Sequence, residues 1–308
     1  MKNKITIIGA GNVGATCAEL IAQRELSDVV LLDVDEGIAK GKALDIQQAC
    51  TLWSSSSHVH GTSSYEDTEG SNVVVITAGL ARKPGMSRDD LRDANSRIVS
   101  SVAEKIREFC SRAIVIVVTN PMDVMAYLTY RVTGFPKERI IGMGGILDAA
   151  RFATFIAQEI GVSYADVKGL VLGGHGDLMV PLPNYTTVYG VPITSLLSID
   201  TIDKLIERTR SGGAEIVSFL KSGSAYYAPA ASILEIVEAV IKDKKRLLPC
   251  SVYLDGEYGI YDTFTGVPIM VSSKGCEKII ELPLGDKDLE ALRRSASAVS
   301  EQIKKLVF

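Results

Sequence analysis

Residues 4–23 read KITIIGAGNVGATCAELIAQ, which predicts a strand, a tight turn and a helix in that order. The short β-branched run KITII at residues 4–8 has the character of a buried strand. The pattern Gly-x-Gly-x-x-Gly follows at once, with Gly9, Gly11 and Gly14 in the glycine positions. Apolar residues then recur at helical spacing over residues 13–23, so the predicted helix begins inside the turn.

The glycine-rich turn has the features of a dinucleotide-binding site. The first glycine permits a tight turn, the second lets a pyrophosphate approach the backbone, and the third lets the helix pack closely on the sheet. Unpaired N–H groups and the positive dipole end of the helix would hold the phosphates. The predicted cofactor-binding residues here are Gly9, Ala10, Gly11, Asn12, Val13 and Gly14. Taken alone, the pattern also occurs in ordinary tight turns.

The second apolar run, DVVLLD at residues 28–33, ends in an acid that strengthens this interpretation. Asp33 lies about 20 residues beyond the glycine pattern, where a carboxylate accepts hydrogen bonds from the ribose hydroxyls. With Asp35 close by, it would repel a 2′-phosphate. The sequence therefore predicts NAD rather than NADP as the cofactor, against the alternative of a solvated acid at a strand end.

Further apolar runs at residues 72–79, 113–120 and 139–145 alternate with helical patterns such as residues 94–110. Runs of this kind are buried on both faces, as in a parallel sheet with helical crossovers. We therefore predict an α/β fold whose N-terminal part, residues 1–145, is a Rossmann domain built on a doubly wound parallel sheet.

After residue 145 the pattern changes, which predicts a mixed α+β substrate domain over residues 146–308. The predicted elements are a helix at 147–161, short strands near 167–177, long helices across 198–242, a strand region to about 282 and a last helix from Asp286.

The bulk composition excludes several classes of protein. The 308 residues carry 33 Lys and Arg against 37 Asp and Glu, a net charge of −4, which gives no general attraction to nucleic acid or anionic membranes. The longest core run, residues 113–118, is too short to cross a membrane. Five dispersed cysteines without a Cys-x-x-Cys pair argue against a disulfide framework or a thiolate metal site, and favour a reducing cytoplasm.

Three histidines are candidates for chemistry. His58 and His60 alternate on a predicted strand, where a metal pair is possible, but no third ligand is suggested, so an exposed strand face is favoured. His175 stands in GGHGD after an apolar run, where small neighbours let an imidazole approach a ligand. A satisfied buried histidine is the alternative.

Two other motifs accompany His175. Asp148 and Arg151 are three residues apart in LDAAR, so on a helix they share one face and can present an acceptor and a cation together. An intrahelical ion pair is the simpler interpretation. Asn120 ends the run VTN at the carboxyl end of the sheet, where doubly wound folds bind ligands, although it also fits a turn before proline.

Together these motifs resemble the lactate and malate dehydrogenase superfamily over essentially the whole chain. The similarity covers, in order, GAGNVG from residue 9, TAGLARKPGMSRDDL from 77, VTNPMD from 118, GILDAARF from 145, GGHGD from 173 and SGSAYYAPAAS from 222. Six motifs in the expected order are far more specific than any one of them. One departure is GMGG at 142–145, which we expect to affect local packing only.

The resemblance implies a role for each matching residue. His175 would be the proton acceptor, Asp148 would orient and support it, and Arg151 would hold the carboxylate of the substrate. Asn120 would contact the substrate. The remaining residues implied to lie against substrate or cofactor are Asn95, Val118, Thr119 and Asn120.

The resemblance also explains the basic segment at residues 80–91, which corresponds to a mobile loop that closes over the substrate. Arg88 would polarise the reacting carbonyl. Arg82 occupies the position that selects the substrate, where lactate dehydrogenases typically carry glutamine and malate dehydrogenases arginine. A guanidinium can pair through two hydrogen bonds with the second carboxylate of malate or oxaloacetate. The small residues around Ala225 also resemble the malate-specific members.

The implied activity is the reversible, NAD-dependent oxidation of (S)-malate to oxaloacetate. A lactate dehydrogenase of relaxed specificity stays an alternative, against which Arg82 argues. A non-catalytic NAD-sensing module is a second alternative, but it leaves the retained histidine, aspartate and arginine unexplained. Relatives of this fold form dimers or tetramers, so we expect a homo-oligomer, specifically a tetramer, with contacts from the apolar helices at 13–23 and 205–242.

Overall fold

The computed structural model describes residues 3–81 and 86–306. The strands in this part are β1 (Lys4–Ile8), β2 (Asp28–Leu32), β3 (Val59–Thr62), β4 (Val73–Ile76), β5 (Ile114–Val117), β6 (Ile140–Gly142), β7 (Val167–Lys168), β8 (Val171–Leu172), β9 (Val180–Pro181), β10 (Thr187–Val188), β11 (Val191–Pro192), β12 (Arg246–Asp255), β13 (Tyr261–Ser272) and β14 (Gly275–Ile279). The helices are α1 (Asn12–Gln23), α2 (Glu36–Leu52), α3 (Arg88–Phe109), α4 (Met122–Thr133), α5 (Gly144–Ile160), α6 (Ile199–Leu220), α7 (Tyr227–Ile241) and α8 (Asp286–Ile303).

The main sheet of the described residues has the strand order β14-β13-β12-β6-β5-β4-β1-β2-β3. Strands β1 to β6 pair in parallel, whereas β12, β13 and β14 pair antiparallel. The chain runs outward from β1 in one direction and from β4 in the other, which is the doubly wound arrangement. This confirms the predicted α/β fold with a parallel N-terminal sheet and a mixed second half.

Alternating side chains of the parallel strands enter two different cores, which explains why these strands are mostly apolar on both faces. In β4, Val73 and Val75 pack into the core that includes α1, α2 and α7. Val74 and Ile76 point to the other face and pack with residues of α3 and α4. Because successive residues of a strand face opposite sides, a strand covered on both faces takes a polar side chain only where it finds a partner, as Thr6 of β1 does in the Ser71 hydroxyl at 2.7 Å.

The sheet continues across the predicted domain boundary. Strand β12 joins the edge of β6 through the antiparallel pair Ser251 and Gly142, and β13 and β14 extend the sheet further. A third core lies between α5, α6 and the short strands, with Phe152 and Ile156 fully buried. The division at residue 145 stays a prediction about folding units, while the backbone hydrogen bonding is shared between the two halves.

Helix α3 begins earlier than the predicted residue 94. Its first residue is Arg88, and Ser87 caps it: the Ser87 hydroxyl accepts from the Asp90 N–H at 3.0 Å, and the Asp90 carboxylate accepts from the Ser87 N–H at 3.0 Å. The apolar periodicity misses this first turn because it is charged. Reciprocal capping and the acids Asp89 and Asp90 beside the positive dipole end stabilise it instead.

Of the helices at 13–23 and 205–242 that are expected to supply subunit contacts, α1 and α7 pack against each other within the chain. Their facing positions are filled by small and aliphatic side chains such as Ala18, Ile21 and Ile233, all of which are fully buried. Within residues 3–81 and 86–306, no helix has the length and apolar character needed to cross a membrane.

The cysteines and the histidine pair are outside the chemical site. All five cysteines are free and buried, and burial raises the pKa of Cys17 to about 12, so its thiol stays neutral. His58 and His60 lie on the surface with ring centroids 6.4 Å apart, and His60 Nε2 lies 3.2 Å from Asp67. In the described part of the chain, no three His, Cys, Asp or Glu side chains are grouped to hold a metal ion.

Candidate active site

The candidate site lies at the carboxyl ends of the parallel strands. The chain leaves β1 toward α1 on one side and β4 toward α3 on the other, so a crevice opens where the two connections diverge. The predicted site residues fall on the turns and helices that follow β1, β2, β4, β5 and β6, and His175 lies in the loop after β8. The strand order thus brings together segments that are far apart in the sequence.

The glycine turn has the geometry that its sequence predicts. Gly9 has a φ of +107°, and a Cβ there would come within 2.7 Å of the Ala78 nitrogen. A Cβ at Gly14 would overlap the carbonyl of Gly9, so the third glycine allows α1 to approach the turn. A Cβ at Gly11 would meet nothing within 4 Å, so this glycine faces open space.

The N-terminus of α1 fits the pyrophosphate of a dinucleotide. Its N-cap, Gly11, makes no side-chain cap, and the first turn carries no acid. The N–H groups of this turn therefore keep their capacity to donate, and the helix dipole favours an anion there. The open space beside Gly11 and these donors together form a cradle for the phosphates of NAD.

Asp33 connects the second strand to the glycine turn. Its Oδ2 accepts a hydrogen bond from the Ala10 N–H at 2.6 Å, and its Oδ1 accepts from the Asp35 N–H at 3.0 Å. Lys42 of α2, which sequence reasoning did not single out, donates from Nζ to the Ala10 carbonyl at 2.7 Å. The N–H of Ala10 is thus held by a carboxylate and its carbonyl by an ammonium group. The half-buried Asp33 carboxylate keeps acceptor capacity for ribose hydroxyls.

His175 and Asp148 form the central pair of the site. Nδ1 of His175 lies 2.8 Å from Oδ2 of Asp148, whose side chain is 2% exposed. A carboxylate accepts, so the contact places the proton of a neutral imidazole on Nδ1 and leaves Nε2 with a lone pair. Burial opposes protonation of His175, but the charge and hydrogen bond of Asp148 outweigh it, and the net effect raises the histidine pKa.

Arg151 binds the same carboxylate as His175 and has donor capacity left for an anion. Its NH1 donates to Oδ1 of Asp148 at 3.2 Å, so Asp148 binds the histidine and the arginine through different oxygens. The buried Nε of Arg151 has no hydrogen-bond partner among the described residues, so the guanidinium has donor capacity left. A Cβ at Gly212 or Gly213 of α6 would lie 3.3 or 3.4 Å from atoms of this side chain, so these glycines leave it room.

Asp123 is a functional candidate that sequence reasoning missed, although it stands in the motif VTNPMD. Its Oδ2 accepts from the backbone N–H of His175 at 2.7 Å, and its Oδ1 accepts from the Ser251 hydroxyl at 2.6 Å. The side chain is 4% exposed. The feature that could have indicated Asp123 is an acid at the start of a helix, directly after the end of a buried strand.

The GMGG segment also contacts the site, which corrects the expectation that it concerns local packing alone. A Cβ at Gly144 would lie 2.7 Å from Cβ of His175 and 2.6 Å from the Met122 terminal methyl. Glycine at this position therefore allows the histidine loop to approach the start of α5. In the sequence, GMGG was noticed as a departure from the family pattern, but nothing there indicated that Gly144 contacts the histidine loop.

Asn95 is placed to position other residues. Its side chain is fully buried; Oδ1 accepts from the Leu80 N–H at 2.7 Å, and Nδ2 donates to the carbonyls of Leu80 and Asn120 at 3.1 and 2.6 Å. Thr119 is buried and donates to the Ala78 carbonyl at 2.7 Å, so the segments after β4 and β5 are tied together. Direct contacts of Asn95, Val118, Thr119 and Asn120 with a ligand stay predictions.

Part of the predicted basic loop, residues 82–85, lies outside the described residues. Arg82 lies outside the described residues. Arg88 is the first residue of α3, and its side chain also falls outside what the structure describes. Ala225 is half-buried between α6 and α7.

The arrangement combines three chemical capacities. A histidine oriented by a carboxylate can accept a proton from a hydroxyl group or return it to a ketone. An arginine with free donor capacity beside it can bind a carboxylate. A glycine turn followed by an acid can hold a dinucleotide along the same edge of the sheet. Such a site is suited to hydride exchange between a hydroxy acid and a nicotinamide.

Comparisons with known proteins agree with this chemistry. The family model for the lactate/malate dehydrogenase NAD binding domain matches residues 3–142, and that for the lactate/malate dehydrogenase alpha/beta C-terminal domain matches residues 146–307. A malate dehydrogenase of Desulforudis audaxviator is 55% identical over 305 residues, which is 99% of both chains.

Solved structures place the same fold in both branches of the family. A malate dehydrogenase of Cryptosporidium parvum superposes with a TM-score of 0.97 at 40% identity, covering 99% of each chain. A lactate dehydrogenase of the same organism, complexed with lactic acid and β-nicotinamide adenine dinucleotide, superposes with a TM-score of 0.95 at 41% identity, covering 99% of this chain and 98% of that one. The fold alone therefore does not distinguish the two substrates.

Proposed function

The chain belongs to the lactate/malate dehydrogenase family, and we propose that it is an NAD-dependent malate dehydrogenase that interconverts (S)-malate and oxaloacetate. The observation that carries this proposal is the hydrogen-bonded chain from Arg151 through Asp148 to His175. It provides an anion-binding group and a proton acceptor at one edge of the sheet that also carries the glycine turn.

His175 is the acid and base of the proposed reaction. In malate oxidation, its neutral Nε2 takes the proton of the C2 hydroxyl, and Asp148 stabilises the imidazolium that forms. Arg151 holds the C1 carboxylate beside the imidazole. When bound, NAD supplies the nicotinamide ring that accepts the hydride from C2. In the reverse direction, protonated His175 donates to the ketone oxygen.

The two loop arginines complete the proposal. Arg88 helps to polarise the ketone, and closing residues 80–91 over the substrate excludes water, which strengthens the charge interactions. Arg82 pairs with the C4 carboxylate of malate or oxaloacetate. Pyruvate has a methyl group in that place, and the loss of such a charged pair costs about 2–5 kcal/mol, roughly one and a half to three and a half decades in affinity.

The testing experiment follows NADH oxidation at 340 nm with oxaloacetate and with pyruvate, in the wild type and in Arg82→Gln. We expect kcat/KM to favour oxaloacetate strongly in the wild type and to lose or reverse that preference in the variant. Comparable values on the two substrates would favour the lactate dehydrogenase alternative. Absence of NADH oxidation with both, in protein that binds NADH, would favour the NAD-sensing module.

A homotetramer in the cytoplasm is part of the proposal. Exposed aliphatic and aromatic side chains on α2 and α6 support subunit contacts, with Leu52 85% exposed and Phe219 76% exposed. Five free, buried cysteines are compatible with a reducing compartment. Light scattering at working concentration tests the assembly, and a monomeric mass would overturn it. Recovery of the activity with the cytoplasmic fraction tests the location.

A further inference from the structure

The carboxylate of Asp123 is buried beside His175 and has no part in the proton transfer described above. It belongs to the first turn of α4, and both of its oxygens accept hydrogen bonds, from the His175 N–H and from the Ser251 hydroxyl. Ser251 is itself fully buried, on β12. Removing a carboxylate from water is costly, so its retention here calls for a function in which its charge or its acceptors are used.

The His175 loop is fixed at two successive backbone groups. The N–H of Gly174 donates to Oγ of Ser295 at 2.9 Å, and the N–H of His175 donates to Asp123 at 2.7 Å. The imidazole is held separately by Asp148. The main chain and the ring of the same histidine are therefore each held by a buried carboxylate.

We propose that Asp123 is a positioning residue for His175, which fixes its main chain and adds a second negative charge to the one that Asp148 supplies. This inference rests on the proposed function for its meaning in catalysis. It assigns to Asp123 the task of favouring the imidazolium that forms when the substrate hydroxyl loses its proton.

The charges around His175 support this assignment. Asp148 and Arg151 face it from α5 and form one balanced pair, while Asp123 faces it from α4 and makes its hydrogen bonds, within the described part of the chain, to neutral groups. The side chains that approach from β12 and α8, Ser251 and Ser295, are neutral. Counted over the side chains that the structure describes, the cluster with neutral His175 has one surplus negative charge, which the imidazolium balances.

Burial raises the pKa of Asp123, and its hydrogen bonds with Ser251 and the His175 backbone oppose that rise. Two donors directed at the two oxygens are matched by the ionised form, which accepts at both. In this state Asp123 also contributes to the raised pKa of His175, alongside the larger effect of Asp148.

Asp123→Asn isolates the charge. The asparagine Oδ1 can accept from the His175 N–H, and its Nδ2 can donate to Ser251, whose hydroxyl rotates to accept. Ser251→Ala is a second variant, which removes one donor from the carboxylate and leaves the histidine contact. The matched control is Asp243→Asn, because Asp243 also accepts from a backbone N–H and a hydroxyl, both of Ser273, on the surface outside the site.

The imidazole pKa is measured by NMR on protein labelled in histidine. The spectrum is simple because the chain has three histidines. The signal that disappears in His175→Gln identifies the residue. We expect Asp123→Asn to lower the pKa of His175 by about one unit. Ser251→Ala removes a hydrogen bond that holds the Asp123 pKa down, so Asp123 becomes protonated more easily and the pKa of His175 should fall by less. Asp243→Asn should leave it unchanged. An unchanged value in a folded Asp123→Asn variant would overturn the proposal.

A kinetic experiment tests whether the charge of Asp123 also affects catalysis, and the NMR titration does not depend on its result. In malate oxidation, the acid limb of kcat/KM should move to lower pH in Asp123→Asn, while the KM for NAD stays at the wild-type value. A rise in the KM for NAD with an unmoved limb would indicate a general structural role and overturn the proposal. Wild type that fails to oxidise malate would contradict the proposed function, whereas the NMR titration would still decide the role of Asp123.

Discussion

Asp148 and His175 are 27 residues apart in the chain, and their side chains meet at 2.8 Å between Oδ2 and Nδ1. Helix α5 carries the aspartate, and the loop after β8 carries the histidine. The contact fixes both the direction of the imidazole ring and its tautomer, because the carboxylate can only accept. The free Nε2 lone pair is therefore a consequence of where Asp148 stands.

Replacing Asp148 with asparagine should nearly abolish turnover while leaving NADH binding intact. The amide can donate to Nδ1 and so favour the wrong tautomer, and it removes the charge that stabilises the imidazolium. We expect kcat to fall on the order of 10²–10⁴-fold. Stopped-flow rates and NADH fluorescence titration measure the two properties. Turnover at the wild-type level would exclude the proposed role.

The two reaction directions should depend on pH in opposite ways. The pKa of His175 is raised above 6.5 because the charge and hydrogen bond of Asp148 outweigh the effect of burial. Malate oxidation needs the neutral imidazole, so its kcat/KM should increase as pH rises through that raised value. Oxaloacetate reduction needs the imidazolium and should decline over the same interval. Profiles of both directions test this, and a limb below 6.5 attributable to His175 would contradict it.

Asp33→Asn should weaken the discrimination against NADP. The variant keeps the size of the side chain and one acceptor, but it removes the negative charge that would face a 2′-phosphate. We expect the ratio of kcat/KM for NADP to that for NAD to rise about tenfold or more, since like charges in contact cost several kcal/mol. Asp35→Asn, in which asparagine preserves the N-cap to the Ile38 N–H, measures the share of the second acid. The matched control is Asp243→Asn, because Asp243 binds Ser273 on the surface outside the site. An unchanged ratio in Asp33→Asn would remove Asp33 from cofactor selection.

Glu238 should contribute to stability above its own titration range. It is 7% exposed and accepts from Lys242 and Lys244 at 2.8 and 3.0 Å, and these lysines lower its pKa from 4.5 to about 2. A depressed carboxyl pKa stabilises the fold above pH 4.5 and loses that contribution as the pH falls toward 2. Glu238→Gln should lower the free energy of unfolding at neutral pH by roughly 1–3 kcal/mol.

Urea unfolding across this pH range measures the effect of Glu238. The matched control is Glu235→Gln on the same helix, because Glu235 pairs with Arg246 at 3.2 Å while both side chains are more than a third exposed. Such exposed pairs contribute less than about 1 kcal/mol. Equal losses in the two variants would show that burial of Glu238 has no special effect.

The sequence predicted the parts of the site that depend on local patterns. The glycine turn and Asp33 were predictable because strand, turn, helix and strand follow one another within the first 33 residues. The roles of His175, Asp148 and Arg151 came from the family resemblance rather than from periodicity. Their three-residue spacing only indicated that Asp148 and Arg151 share a helix face.

Features that depend on distant contacts were not predictable. The Asp123 carboxylate is held by Ser251, which the pairing of β12 with β6 brings beside it, and by the His175 backbone in the loop after β8. Nothing in a strand pattern specifies which edge an antiparallel hairpin joins. The start of α3 was missed for a different reason, since capping by Ser87 rather than apolar spacing determines it.

The most direct test of the account is the behaviour of His175→Asn. NADH binding by fluorescence and the rate of oxaloacetate reduction are measured on the same preparation. We expect the Kd for NADH to stay near the wild-type value and kcat to fall on the order of 10²–10⁴-fold, because asparagine cannot donate and recover the proton. A variant that binds NADH and reduces oxaloacetate at the wild-type rate would contradict the assignment of His175 as the acid and base of this enzyme.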